Sequence, residues 1–277
     1  MTDIRGKQST PLDGKSVRMC RLFAAASGRG LIVPIDHSVT VGPLGDHAHA
    51  NDLAALLSGA GADAIVVHKG RARHIDPVHL RSLRLIVHLS AGTSLSVDTT
   101  GKVLVGSVEE ALILGADAVS VHVNIGSPTE AQQLTDLGVV AAECSRLGMP
   151  LLAMMYHRGL VGAPEAAPSV QTLAHLAAIA TDLGADVVKL DYPGDPESMD
   201  EVVQTCPLPI VVAGGAATND EHAIELGSEI AESRVAGLSF GRQIFHAAEP
   251  ARVASALARR LHSHGHSRSA PRSLTPA

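Results

Sequence analysis

Short apolar runs bounded by glycine, proline or polar residues recur along the whole chain. Three of them share one plan: "GAGADAIVVH" (59–68), "LGADAVSVHV" (114–123) and "LGADVVKLDY" (183–192). In each, a helical pattern ends at a glycine, a Gly-Ala-Asp turn follows, and a β-branched strand begins. Five further runs read as strands: "LIVPI" (31–35), "LIVHL" (85–89), "LLAMM" (151–155), "PIVVA" (209–213) and "AGLSF" (236–240). Helical periodicity fills most of the intervals, as in "TEAQQLTDLGVVAAECSRLG" and "SVQTLAHLAAIATDLG". Strands that alternate with helices demand a parallel sheet with crossover connections. Eight such units, with no GxGxxG after the first strand and no break in the chain, predict an α/β fold of the (β/α)8 TIM-barrel type rather than an open doubly wound sheet. The longer stretch "SAGTSLSVDTTGKVLVGS" after the third strand reads as an excursion at the barrel mouth.

The catalytic barrel is expected over residues 23–258. Residues 1–22 form an N-terminal extension whose helix closes the barrel bottom, and residues 259–277 form a basic, His-rich tail without fixed structure. A chain of 277 residues with 45% hydrophobic content suits one large core. The net charge is −6, and the tail from Arg259 onward holds four arginines and no acid. A mildly acidic body of this kind excludes the basic footprint of a nucleic-acid binder. No run approaches the roughly 18 apolar residues of a membrane helix, and the start lacks a signal-peptide apolar region, so a cytoplasmic location is expected. Cys20, Cys144 and Cys206 are odd in number and far apart, which fits reduced thiols rather than a disulfide framework.

Barrels of this type carry their active sites at the C-terminal strand ends. Those ends supply Asp36 and His37, then Lys69, the histidines His68, His88 and His122, Tyr156 with Arg158, Lys189 with Asp191, Gly214-Gly215, and Gly241-Arg242. Lys189 stands among Val187, Val188 and Leu190. Desolvation disfavours an ammonium, and a neutral amine condenses with a ketone to give a Schiff base. Of the five lysines, Lys7 and Lys15 belong to the extension and Lys102 to a Thr-Gly-Lys turn, which leaves Lys69 as the rival. A structural ion pair of Lys189 with Asp36 or Asp191 is the alternative. Gly214 and Gly215 permit close backbone approach, and Gly241-Arg242 opens a short helix, so N–H groups and one guanidinium converge on a phosphate after strands seven and eight. A Schiff-base lysine beside a phosphate site describes a ketose-phosphate aldolase.

Seven segments in order carry a resemblance: "IVPIDHSVTVGP", "LIVHLSAGTSLS", "GSVEEALILGADAVSVHVNIGS", "PLLAMMYHRG", "ADVVKLDYPGD", "VVAGGAATND" and "GRQIF". Through them the chain resembles the archaeal-type class I fructose-bisphosphate aldolases and the related aminodideoxyheptulosonate synthases. "VVHKGRARHIDP" with "PIDHSVT" is similar to the branch that joins dihydroxyacetone phosphate to aspartate semialdehyde on the route to 3-amino-4-hydroxybenzoate. The resemblance implies Lys189 as the Schiff-base lysine, Tyr156 as the proton-transfer acid/base, and Asp36 as the assisting carboxylate. It implies phosphate binding by Gly214, Gly215, Gly241 and Arg242. It also implies small phosphorylated ketone and aldehyde substrates, no cofactor, no metal, and a ring-based homo-oligomer such as a decamer. A zwitterionic acceptor needs a rim of both signs, for which His37, Lys69, Arg158 and Asp191 are candidates, with Arg71 and Asp195 nearby. Departures from the family pattern are His157 in place of a proline, Gly92 in place of a small hydroxyl residue, and the acidic Asp191 beside the lysine.

Other readings have specific residues behind them. A fructose-bisphosphate aldolase or an aminodideoxyheptulosonate synthase would keep the same lysine. A metal-dependent barrel enzyme would use His37, His68, His88 and His122, although the barrel holds no HxH or HxxxH pair. His262, His264 and His266 are a dense set that reads as solvated tail. A catalytically dead sugar-phosphate sensor is opposed by the retention of Lys189, Tyr156 and Asp36.

Overall fold

The computed structural model describes residues 13–23, 26–44, 49–158 and 168–263. Eight strands run in parallel: β1 (Gly30–Pro34), β2 (Ala64–His68), β3 (Arg84–His88), β4 (Ala118–Ile125), β5 (Leu151–His157), β6 (Val187–Leu190), β7 (Ile210–Ala213) and β8 (Gly237–Ser239). Each pairs with its neighbour in chain order, and β8 pairs with β1, so the sheet closes into a barrel. Helices between successive strands cover it, which is the architecture the alternating pattern predicts. The excursion after β3 is a small antiparallel hairpin in which Ser90–Ala91 pairs with Val103–Leu104.

Two-residue periodicity sorts the strand side chains into two cores. Ile32, Ala64, Val66, Ile86, Ala118, Leu152, Met154, Val187 and Val211 form one cluster, the barrel interior. Their alternates, among them Leu31, Val33, Ile65, Val67, Leu85, Val87, Val119, Val121, Val188 and Leu238, pack outward against the helices. The same alternation carried toward the mouth puts Asp36, His68, His88, His122, Tyr156, Lys189 and Ser239 on the inner face. Those positions are polar where the lower layers are aliphatic.

The repeated Gly-Ala-Asp turn has a structural purpose at the bottom of the barrel. Asp63 accepts from the backbone N–H of Leu31, Asp117 from that of Leu85, and Asp186 from that of Leu151. The backbone N–H of each aspartate returns a bond to the carbonyl of the same leucine. Each turn therefore clamps the start of the strand before it. Each clamp also meets a basic side chain. Asp186 meets Lys15 at 2.9 Å, Asp117 meets Arg21 at 3.5 Å, and Asp63 meets His262 at 3.2 Å.

Two of these partners come from the helix Gly14–Leu22, which Asp13 caps by accepting from Ser16 N–H. Leu22 is buried and joins the interior cluster with Met19 and Phe23 against it, so this helix packs across the bottom of the barrel. Cys144 is buried behind the sheet, and desolvation pushes its thiol up to about 12. At the other end of the chain, the helix Pro250–Ser263 runs past residue 258 and buries Leu261. The expected tail boundary thus falls inside a packed helix, because the apolar period of "VASALARRL" continues to Leu261 through two arginines. His262 belongs to this helix and also meets Ser27 Oγ at 3.2 Å. Residues 1–12 and 264–277, with His264 and His266, lie outside the described residues.

Candidate active site

Lys189 lies on β6, 6% exposed, with Met154 and Val211 as its strand partners. Both partners belong to the interior cluster, so the amine rises from an aliphatic floor. Tyr156, the last inward residue of β5, is its neighbour on one side, with Nζ 5.9 Å from the ring centroid. A single cleft gathers Lys189, Tyr156, His37, Asp191, Gly214, Gly215, Gly241 and Arg242, along with Pro34, Ala213 and Ser239. Asp191 lies two residues beyond Lys189 and lines the same cleft, as the alternation implies.

Asp36 follows β1 across the barrel. Its Oδ1 is 3.4 Å from His37 Nδ1 and its Oδ2 3.6 Å from His88 Nε2. Burial opposes its ionisation, but His88, His37, Lys189 and His68 outweigh burial and hold the carboxyl at about 2. His88 is pushed down to about 4, first by desolvation and against the pull of Asp36. His37 and His68 are lowered and His122 is lowered well below the usual range, desolvation again being the first cause in each. At neutral pH the mouth therefore holds an anionic Asp36 among uncharged imidazoles.

These histidines are engaged with protein groups. His88 Nδ1 lies 2.8 Å from Ser120 Oγ, His122 Nε2 lies 2.9 Å from Asn124 Oδ1, and His68 Nδ1 lies 3.2 Å from the His88 carbonyl. His37 packs edge-on against Phe245 at 5.4 Å. Among the described residues, no three His, Cys, Asp or Glu side chains converge as a metal-holding group.

The β7–β8 side of the cleft is built by close packing. Gly215 adopts a φ of 69°, the left-handed region that favours glycine. A Cβ at Gly241 would collide with the Pro34 carbonyl oxygen, so only glycine lets the end of β8 pass beside β1. Arg242 begins a four-residue helix through Phe245, whose first N–H groups have no intrahelical acceptor. Gln243 ties the two loops together. Its amide donates to the carbonyls of Gly214 at 2.8 Å and Ala216 at 2.7 Å, and its oxygen accepts from Thr218. Ser239 Oγ is buried with no hydrogen-bond partner among the described residues and lines the cleft.

Not every expected site residue faces this cleft. Lys69 turns away, its ammonium held by both oxygens of Glu110 at 2.8 and 2.9 Å, because β2 ends one residue earlier and Lys69 starts a helical turn. Arg71 donates to Ser38 Oγ, and Asp195 is the N-cap of the helix Pro196–Thr205, accepting from Ser198 N–H. Arg158 does reach the mouth, with its guanidinium carbon 5.1 Å from the Tyr156 ring centroid and Nε donating to Asn124 Oδ1 at 2.7 Å. Sequence reasoning missed Asn124, Ser239 and Gln243. The first two were accessible through strict alternation from His122 and from Gly241. Gln243 acts across loops, where no periodic signal exists.

The comparisons with known proteins agree with this geometry. The chain matches the model for DeoC/LacD family aldolases over residues 30–247. A 2-amino-4,5-dihydroxy-6-oxo-7-(phosphonooxy)heptanoate synthase of Streptomyces griseus is 42% identical over 252 residues, covering 91% of both chains. A 2-amino-3,7-dideoxy-D-threo-hept-6-ulosonate synthase of Archaeoglobus fulgidus is 39% identical over 253 residues, covering 91% of this chain and 93% of that one. Among solved structures, an archaeal fructose-1,6-bisphosphate aldolase with its catalytic lysine covalently bound to the carbinolamine intermediate superposes with a TM-score of 0.79. Its identity is 27%, and the match covers 90% of this chain and all of that one. The chain therefore belongs to the DeoC/LacD family of aldolases.

Proposed function

We propose that this protein is a Schiff-base aldolase that joins dihydroxyacetone phosphate to L-aspartate 4-semialdehyde through Lys189. The observation that carries the mechanism is the buried amine on β6, with the phenol of Tyr156 and the carboxylate of Asp36 facing the same space. Lys189 Nζ attacks the ketone carbon of dihydroxyacetone phosphate, and loss of water gives an iminium. The iminium draws electrons from the adjacent hydroxymethyl carbon, Tyr156 takes the proton from that carbon, and an enamine results. The enamine carbon attacks the aldehyde carbon, the aldehyde oxygen takes the proton held by Tyr156, and water hydrolyses the new iminium to free the product and the amine. Asp36, ionised across the working pH range, accepts and returns protons as water leaves and re-enters.

The phosphate is assigned to the N–H groups of Gly215, Gly241 and Arg242, with the Arg242 guanidinium and the buried Ser239 hydroxyl. Preorganised N–H donors at a loop-to-helix junction suit a phosphate. Gln243 fixes the spacing between the two loops.

The acceptor follows from the product named for the Streptomyces relative. A 2-amino-4,5-dihydroxy-6-oxo-7-(phosphonooxy)heptanoate is a β-hydroxy ketone, with the ketone at carbon 6 and the β-hydroxyl at carbon 4. Breaking its 4,5 bond in the retro-aldol sense leaves a three-carbon ketone phosphate, dihydroxyacetone phosphate, and a four-carbon amino-acid aldehyde, aspartate semialdehyde. Likeness of 42% across nearly the whole chain supports the same pair here. Asp191 in the cleft suits an acceptor that carries an ammonium and ill suits a second phosphate. A cytoplasmic homo-oligomer goes with this reading. No helix among the described residues is long and apolar enough to cross a membrane.

Direct competition between acceptors tests the assignment. With dihydroxyacetone phosphate as donor, kcat/KM for aspartate semialdehyde is expected to exceed that for glyceraldehyde 3-phosphate. The reverse order would replace the synthase with a fructose-bisphosphate aldolase.

A further inference from the structure

Lys102 comes from the hairpin after β3 and returns over the barrel mouth. A Cβ built on Gly92 would lie 3.1 Å from Lys102 Nζ and would collide with the Gly101 carbonyl oxygen. The lysine therefore lies across residue 92 in space that only glycine leaves open. Its segment is anchored, since Thr100 O accepts from Asn124 Nδ2 at 2.7 Å and from Gln133 Nε2 at 3.1 Å. Asn124 is also the residue that holds Arg158. One buried amide thus fixes both the lysine-bearing turn and the guanidinium over Tyr156.

Among the described residues, the Lys102 ammonium has no hydrogen bond or ion pair, although it is half-buried. Asp98, the acid closest in sequence, is occupied. Its Oδ1 accepts from Thr100 N–H and Oγ, and its Oδ2 from Thr129 Oγ. The ammonium is disfavoured first by desolvation and next by the like charge of Arg158. His122, stacked on Tyr156 at 4.6 Å, feels Lys102 as its largest neighbouring charge. Asn124 ties the turn before Lys102 and the Arg158 side chain to one point of the rim, and an anion bound there draws on both positive charges.

We propose that Lys102 and Arg158 form the anion half of the acceptor site and bind the α-carboxylate of the incoming amino-acid aldehyde. The inference rests on the synthase reading and adds the residue that selects the acceptor. With the carboxylate at Lys102 and Arg158, on the β3 to β5 side of the mouth, the acceptor lies over Tyr156. The donor phosphate lies opposite, near β7 and β8. The aldehyde carbon then spans toward Lys189, where the enamine forms.

The test pairs a side-chain change with a substrate change. For Lys102→Met, kcat/KM is measured with aspartate semialdehyde and with 3-aminopropanal, the same aldehyde without its carboxylate. A charged hydrogen bond of ordinary strength predicts a loss of about 10- to 100-fold with aspartate semialdehyde beyond any loss with 3-aminopropanal. The loss should sit mainly in KM, and Lys102→Arg should restore most of it. Borohydride with dihydroxyacetone phosphate alone should still label Lys189 in the variant. Equal losses with both aldehydes, or none with either, would overturn the proposal. Wild-type enzyme inactive on aspartate semialdehyde would instead overturn the synthase reading, so the two failures are distinguishable.

Discussion

Tyr156 owes its setting to the groups packed against its ring. His122 stacks at 4.6 Å with 29° between planes, Arg158 lies 5.1 Å from the centroid, and Asn124 Oδ1 bonds to both flanking side chains. The chain has one other tyrosine, Tyr192, whose hydroxyl donates to Glu229 at 2.7 Å. Tyr156 is thus the phenol available to the Schiff base. In Tyr156→Phe, iminium formation at Lys189 should persist while turnover falls about 10²–10⁴-fold, the usual contribution of an acid/base group. Single-turnover trapping beside steady-state rates measures the split. Near-normal turnover would remove Tyr156 from the chemistry. Tyr156, Asp36 and Lys189 were legible in the sequence because each sits at a predictable strand end, and the resemblance gave each a role. Lys102 was not, since a Thr-Gly-Lys turn carries no sign of where its side chain goes. Lys69 misled for the complementary reason: a strand-end position says nothing of the Glu110 that captures it from the next helix.

At the scale of elements, the Gly-Ala-Asp repeat marked strand starts correctly but concealed the work of its aspartates. The acceptor function toward Leu31, Leu85 and Leu151 reaches back across the sheet to the preceding strand, a contact that local sequence cannot reveal. Asp186 combines a 2.9 Å bond from Leu151 N–H with a 2.9 Å pair to Lys15. Asp186→Ala leaves a strand N–H without its acceptor and removes one of the two ion pairs that join the N-terminal helix to the aspartate clamps. The expected cost is about 1–3 kcal/mol, typical for a lost bond to a charged acceptor. Because the clamp is at the opposite end of the barrel from Lys189, kcat should stay close to wild type. Urea unfolding and steady-state kinetics on the same variant check both halves; an unchanged midpoint would mean that the clamp adds nothing to stability. The hairpin after β3 was expected as an excursion, and its pairing was beyond reach because two-residue strands leave no periodic trace.

For the whole molecule, the barrel was legible because strands buried on both faces read as short continuous apolar runs, separated by turns and by helical periods. The electrostatics of the mouth emerged only with the fold, which gathers His37, His68 and His88 around Asp36. His88 is ordinarily protonated near 6.5 but is held at about 4 in the folded state. As pH falls through 6.5, the unfolded chain takes up a proton that the native chain refuses, so stability declines between pH 6.5 and 4 and is complete above that window. His88 alone accounts for about 3 kcal/mol by this linkage, and His37, His68 and His122 shift in the same direction. Asp36, held at about 2, adds a further loss below pH 3.8. Urea unfolding between pH 4.5 and 7.5 should give a free energy that rises with pH and then levels; a flat profile would contradict burial of neutral imidazoles.

The reaction itself depends on one amine, and trapping it is the most direct measurement. The enzyme is incubated with dihydroxyacetone phosphate and borohydride, digested, and mapped by peptide mass. The account predicts one reduced adduct, on the peptide carrying Lys189, with activity lost in proportion to labelling. An adduct on Lys69 or Lys102 instead, or activity abolished by EDTA with no adduct anywhere, would contradict it.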